Sequence, residues 1–273
     1  MSDDEGEMGN MFEEPAGFRP PTPPPTCETH TLKSGQVIQL HLVGYSPTEA
    51  HTVWNGSRVV SDYFEADPSR VRGKTILEIG AAAGLPSLTA GVLGARRVVM
   101  SDYPDVDIVQ TMQQNIDECD ASTPASALVE GPDGKPSRVA DRVVTRGYVW
   151  GADPQPLLSL LPEADSGAKF DVLILADLMF RHSEHGNILK SVEMTMARKK
   201  TSVAYVFFTS YRPWLRAKDL AFFDLARERG FLVEQVVDRR LEKPLFENDP
   251  GDLEVQKTVS GFEVRWPDAA WEE

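Results

Sequence analysis

The stretch Lys74-Thr-Ile-Leu-Glu-Ile-Gly-Ala-Ala-Ala-Gly-Leu-Pro-Ser87 restricts this chain more than any other part of it. An aliphatic and β-branched run, Thr75 to Ile79, stops abruptly in small residues, Gly80 to Gly84, and an apolar helical pattern follows. The order is strand, tight turn, helix. A side-chain-poor turn at a strand's carboxyl end lets a ligand approach the backbone, and the next helix offers free N–H groups, which is how open α/β sheets bind nucleotides. Asp102 stands 22 residues after Gly80, closing a second apolar strand, Val98-Val-Met-Ser-Asp102. At that spacing a carboxylate can take the two hydroxyls of a ribose.

The remaining chain of 273 residues alternates in the same way. The spacing predicts helices over 85–93 and 104–118, a loop over 120–138, a third strand over 139–149 and a short helix over 156–161. A fourth strand is expected over Phe170 to Asp177, a helix over 183–197, a fifth strand over 202–209 and a helix over 215–230. Two last strands, 231–237 and 255–266, should pair antiparallel around Asn248-Asp-Pro-Gly251. The expected architecture is α/β, with a seven-stranded Rossmann-like sheet, helices on both faces and an antiparallel last strand. Ahead of it, Thr29 to Val43 alternates about Ser34-Gly35 as a β-hairpin, and a helix is expected from Thr48 to Glu65. The domain division is a tail over 1–26, a hairpin and helix over 27–66 packed on the core, and the main domain over 67–273.

The tail carries Asp3, Asp4, Glu5, Glu7, Glu13 and Glu14 against Arg19, then six prolines from Pro15 to Pro25. Such a segment buries too little apolar surface to offset its ordering entropy, so disorder is expected, with Met11-Phe-Glu-Glu-Pro15 as a candidate docking point. A net charge of −14 argues against nucleic acid, whose phosphates demand clustered Lys and Arg, and suits a basic partner. Two cysteines, Cys27 and Cys119, support neither a disulfide framework nor a thiolate metal cluster. Neither a signal segment nor a membrane-spanning run is read, so a cytoplasmic location is expected. His182 and His185 flank Glu184, but His-x-x-His lacks a third ligand pattern; hydrogen bonding at a helix start is expected, and no metal.

A parallel sheet closing on a hairpin resembles the seven-stranded S-adenosylmethionine-dependent methyltransferases. The dinucleotide fingerprint Gly-x-Gly-x-x-Gly has Ala82 at its second glycine, which disfavours a nicotinamide cofactor. Leu77 to Gly84 looks like the family's first motif. The resemblance implies that Glu78 helps position the methionine end of S-adenosylmethionine, that the Gly80, Ala81 and Ala82 backbone borders it, and that Trp150 stands against the adenine. Trp54 resembles the tryptophan that precedes this motif in the protein-methylating branch. Ala176-Asp-Leu-Met-Phe180 looks like that branch's Asp-x-x-Tyr/Phe motif, with the Ala176 main chain against the cofactor and Asp177 facing the acceptor. Phe180 replaces the tyrosine of many members and removes a phenolic hydroxyl.

Leu42-Val-Gly44, Ser46-Pro47, Trp54-Asn55, Gly80 to Ser87, Ser101-Asp-Tyr-Pro-Asp105 and Asp177 to His185 together resemble the fungal methyltransferases of elongation factor 1-alpha. That resemblance implies methylation of the factor's N-terminal amine and of a nearby lysine; a monomer is expected. In this reading Asp177 holds the amine or accepts its proton through water, while Phe180, Tyr211 and Trp214 surround the methylammonium by cation–π contact. The alternatives are a small-molecule N-methyltransferase acting on a nicotinamide-like amine and a binding protein without activity.

Overall fold

The structure, a computed structural model, describes residues 23–131, 134–162 and 168–271. The tail through Thr22, with the Met11 to Pro15 docking point, lies outside the described residues.

The chain opens with a two-stranded hairpin, β1 (Thr26–Thr31) and β2 (Val37–Leu42), in which Thr31 pairs with Val37 and Thr26 with Leu42. Helix α1 (Asn55–Ala66) follows. Then come β3 (Thr75–Ile79), α2 (Leu85–Val92), β4 (Arg97–Asp102) and α3 (Val106–Ser122). A small hairpin, β5 (Val129–Glu130) with β6 (Pro136–Ser137), leads into α4 (Val139–Arg142), β7 (Val143–Gly147) and α5 (Gln155–Leu158). The remaining elements are β8 (Val172–Ala176), α6 (His185–Thr195), β9 (Val203–Thr209), α7 (Arg216–Glu228), β10 (Leu232–Arg240), α8 (Leu253–Gln256) and β11 (Thr258–Arg265).

Seven of these strands form one sheet in the order β10-β11-β9-β8-β3-β4-β7. Strands β7, β4, β3, β8 and β9 are mutually parallel, and β11 is antiparallel to both β9 and β10. The chain builds outward from β3 to β4 and β7, then returns to β8 on the other side of β3. That reversal opens a crevice beyond the carboxyl ends of β3 and β8, the place where open α/β sheets take ligands.

Alternation along the buried strands divides the core. Ile76, Val98, Met100, Ile174 and Phe207 point to one face, where α1, α2, α3 and the β1–β2 hairpin bury Val60, Phe64, Leu88, Ile116, Ile38 and Leu40. Leu77, Ile79, Val99, Leu175, Val206 and Phe208 point to the other, against Ile188, Leu189, Phe222 and Phe223. Burial of a side chain of this size stabilises by about 1.5–3 kcal/mol, so the two faces carry most of the folding energy. Asn115, fully buried on α3, ties the hairpin to the crevice. Its amide oxygen accepts from His41 N at 2.7 Å, and its amide nitrogen donates to the carbonyls of His41 and Ala83, each at 3.0 Å.

Several boundaries differ from the sequence expectation, among them the start of the last strand, expected at 255 and found at Thr258 after α8. Helix α1 starts at Asn55, because Ser46 Oγ accepts from Thr48 N and Glu49 sits at φ 66°, which makes 46–52 a series of turns. The expected third strand begins as a helical turn. Buried Arg142 there donates to the carbonyls of Gly91, Val129 and Ser137, and the strand starts only at Val143. The 120–138 loop contains the β5–β6 hairpin. Among the described residues no helix is long and apolar enough to cross a membrane.

Candidate active site

The turn after β3 is held open by its neighbours. Ala81 N donates to Ser101 O at 2.9 Å, Gly84 N donates to Ala81 O at 2.7 Å, and Gly80, Ala82 and Gly84 all adopt positive φ. Two of these positions have no room for a side chain. A Cβ on Gly80 would stand 2.6 Å from Leu178 Cδ2, and one on Gly84 would stand 1.9 Å from the Met100 sulfur. Ala82 holds a left-handed conformation uncommon for a residue with a Cβ. Its amide donates to Asp102 Oδ2 at 2.7 Å.

A cavity of about 330 Å³ opens over this turn. Its floor is Gly80, Ala82 and Ala176, with Leu178 beside them. Asp102 and Tyr103 come from the end of β4, and Tyr148, Val149 and Trp150 from the end of β7. Thr48, Glu49, Ala50 and Trp54 close the N-terminal side, while Asp177, Phe180, Arg181 and Glu184 follow β8. A narrow extension runs along Gly80 to Leu85 to Glu78, between Ser57 and Trp54. A second, open groove of about 640 Å³ meets the cavity at Glu49, Trp54, Phe180 and Arg181 and continues to Tyr211, Phe246 and Asp249.

Asp102 is nearly buried, and burial raises its pKa against the pull of the Ala82 and Tyr103 amides. Each carboxylate oxygen accepts one backbone N–H, Oδ2 from Ala82 and Oδ1 from Tyr103 at 2.6 Å. A carboxylate has about four acceptor positions, so each oxygen keeps capacity for one hydroxyl from the cavity.

Glu78 is more deeply placed. One of its oxygens accepts from both the amide (3.0 Å) and the hydroxyl of Ser87 in the first turn of α2, and burial pushes its pKa up to about 8. A folded-state pKa above the ordinary 4.5 means that the stability tied to the protonated form is complete below that value and is lost as pH rises through about 8. Glu78→Gln keeps an acceptor for Ser87 and removes the titration. Its melting temperature should therefore fall less than that of the unaltered protein between pH 5.5 and 8.5; equal slopes would remove Glu78 as a source of the loss.

Asp177, expected to face the acceptor, borders the cavity with both carboxylate oxygens already engaged by backbone amides. Its Oδ2 accepts from Gly56 N and its Oδ1 from Thr209 N at 2.9 Å, with Ser57 N a further donor. The carboxylate thus caps α1 from another strand, a role that the helix's own preceding residue, Trp54, does not fill. Burial raises its pKa to about 7. Gly56 has to be glycine here, since a Cβ would lie 2.4 Å from Asp177 Oδ2 and 2.6 Å from Phe207 O.

The aromatic residues gather in part. Trp54 donates from its indole to Glu49 O at 3.0 Å, stacks on Phe180 at 6.0 Å, and meets Tyr211 at 5.0 Å and Phe246 at 5.8 Å. The Tyr211 hydroxyl accepts from Asn55 N at 3.1 Å, and burial followed by Asp177 raises its pKa well above the ordinary value, so it is a neutral group. Trp214 is 60% exposed and lies outside both linings, beside Gly251. Phe246 takes the place in the cluster that the sequence reading gave to Trp214. His182 Nε2 pairs with Asp219 at 2.7 Å and His185 Nε2 with Met179 O at 2.8 Å.

Phe246 and Asp249 escaped the sequence reading because they lie in a loop without periodicity, and Glu49 because the apolar spacing puts it in a helix where the structure has turns. Tyr103 and Leu178 were within reach of it, as each directly follows a strand-end acid.

Six strands of one direction with the antiparallel β11 between β9 and β10, and a cleft over a glycine-bounded turn at the switch point, define a Rossmann-like fold of the methyltransferase type. In fold alone the chain is similar to a Streptococcus mutans protein described as a SAM-dependent methyltransferase, with a TM-score of 0.51 at 12% identity over 90% of this chain and 57% of that one. The particular kind is given by sequence: the chain belongs to the lysine methyltransferase family, whose model matches residues 44–229. It is 59% identical to the protein N-terminal and lysine N-methyltransferase EFM7 of Gibberella zeae, over 95% of each chain. It is 56% identical to the Neurospora crassa protein of the same name, over 98% of this chain and 92% of that one.

Proposed function

We propose that this protein transfers methyl groups from S-adenosylmethionine to the N-terminal amine and a nearby lysine of elongation factor 1-alpha, as a monomer in the cytoplasm. The observation that carries the reading is the junction of the two spaces. An open groove walled by aromatic rings runs into the cleft at Glu49, Trp54 and Phe180, so a chain end can reach the cofactor position from outside.

The residues present suit the cofactor. Gly80, Ala82 and Ala176 form an apolar shelf bordered by the Leu178 and Trp150 side chains, Asp102 would take the ribose hydroxyls, and Trp150 and Val149 offer area to the adenine. Glu78, at the end of the narrow extension, would face the methionine ammonium. When bound, S-adenosylmethionine supplies an electrophilic methyl group for in-line displacement by a neutral amine.

The protein's part is to align that amine and exclude water, and alignment can lower a barrier by as much as roughly 7–11 kcal/mol. An α-amine with a pKa of about 8 is more easily held neutral than a lysine at about 10.4. Desolvation among Trp54, Phe180 and Tyr211 lowers either value, and the same rings favour the alkylammonium product by cation–π attraction. Glu49 is the carboxylate at the junction, its backbone fixed by the Trp54 indole. Asp177 acts by positioning, since its carboxylate holds the start of α1 and with it Trp54. The net charge of −14 favours a basic partner.

The test is to incubate the purified protein with radiolabelled S-adenosylmethionine and an extract from methylation-deficient cells. One labelled band at the size of the elongation factor, with methylation mapped to its amino terminus by mass spectrometry, is the expected result. Label confined to small molecules would replace the reading with small-amine methylation.

A further inference from the structure

The connection between β10 and β11, residues 241–257, reads from sequence as a plain hairpin loop. In the structure it folds back over the carboxyl end of β9 and is fixed there. Gln256, 2% exposed, donates from its side-chain amide to Pro250 O at 2.9 Å and to Tyr211 O at 3.2 Å, joining the loop to the turn after β9. Gly251, at φ 116°, presses on that turn: a Cβ there would lie 3.1 Å from the Pro213 ring and 3.3 Å from Trp214. Trp214 is thereby a buttress of the loop. Asp252 caps α8 by accepting from Glu254 N at 2.8 Å, which sets where the loop ends.

The effect of this anchoring is to bring two side chains to the groove. Phe246 stands 5.8 Å from both Trp54 and Tyr211, edge-on to each, and Asp249 supplies a carboxylate on the same wall. The groove's other acid, Glu49, sits where the groove meets the cleft. Two carboxylates at different depths suit two amines of one ligand. The groove's arginines are turned to carbonyls, Arg181 to Pro47 O at 2.7 Å and Arg212 to Phe180 O at 3.2 Å.

We infer that the 241–257 loop is the acceptor-reading element of this enzyme, with Asp249 pairing with a basic side chain behind the reactive amine and Phe246 packing on the peptide between them. The inference rests on the protein-methylating reading above and adds to it which part of the chain selects a peptide over a free amine. Neither residue touches the cofactor cleft. Changes in them should therefore act on the acceptor and leave the cofactor alone.

The experiment uses the full-length protein, a peptide of the elongation factor's amino terminus, and the same peptide with its basic side chains replaced by glutamine. Asp249→Lys is expected to raise the KM of the basic peptide by about tenfold or more, with kcat within about twofold, and to leave the KM of the glutamine peptide unchanged. Phe246→Ala should raise KM for both peptides. The dissociation constant for S-adenosylhomocysteine, by calorimetry, should match that of the unaltered protein in each case.

Peptide KM values within twofold in both variants would overturn the assignment, as would an equal rise for both peptides in Asp249→Lys. Direct peptide binding, followed by tryptophan fluorescence, separates this result from failure of the parent reading. A basic peptide that binds through Asp249 without being methylated removes the activity and leaves the loop's role standing. A peptide that neither binds nor reacts overturns both.

Discussion

Asp102→Ala is expected to lower affinity for S-adenosylmethionine by about 100-fold or more, measured by titration calorimetry. Hydrogen bonds to a charged group contribute about 1.5–3 kcal/mol each, and this carboxylate has capacity for two hydroxyls while it accepts from Ala82 N and Tyr103 N. The substitution also frees the Ala82 amide, which leaves a residue at φ 48° without the contact that offsets its conformation. A modest fall in melting temperature should accompany the loss of binding, with the far-ultraviolet spectrum unchanged. Asp102→Asn keeps one acceptor oxygen and should fall between the two. Affinity within about threefold of the unaltered protein would remove Asp102 from the ribose role.

The second large effect is on the fold itself. Asp177→Ala strands the amides of Gly56, Ser57 and Thr209 in a buried place, and each unpaired group costs about 1–3 kcal/mol. The expected loss in urea unfolding is about 3–6 kcal/mol, a large fraction of a typical domain's stability. Turnover should fall with it, because α1 begins beside Trp54 and the indole's place on Phe180 depends on that start. Asp177→Asn retains one acceptor and should recover part of the loss. Near-native stability with abolished turnover would instead put the carboxylate to work on the acceptor, as the sequence motif alone suggests.

The contrast between Asp102 and Asp177 shows how far reading the chain carries. Both are acids at the ends of buried parallel strands, and the sequence marks them equally. Asp102 lies beside the turn that its own strand pair creates, so a short-range relation of 20 residues gives its partner, Ala82. The partner of Asp177 is 121 residues away on a helix whose start the local pattern misplaces, because Ser46 and Glu49 form turns where apolar spacing alone suggests α-helix.

The sequence by itself determined the parallel sheet, its antiparallel last strand, the small-residue turn and Asp102. Each rests on a local property: two-sided burial writes an unbroken apolar run, a turn at the end of β3 admits only small residues, and β4 ends beside it. The tertiary structure alone decided that Asp177 caps α1, that Trp214 stands aside as a buttress, and that Phe246 and Asp249 line the groove beside the cleft. The last two outcomes depend on how an exposed loop packs across the end of β9, and exposure leaves no periodic trace from which such packing could be read.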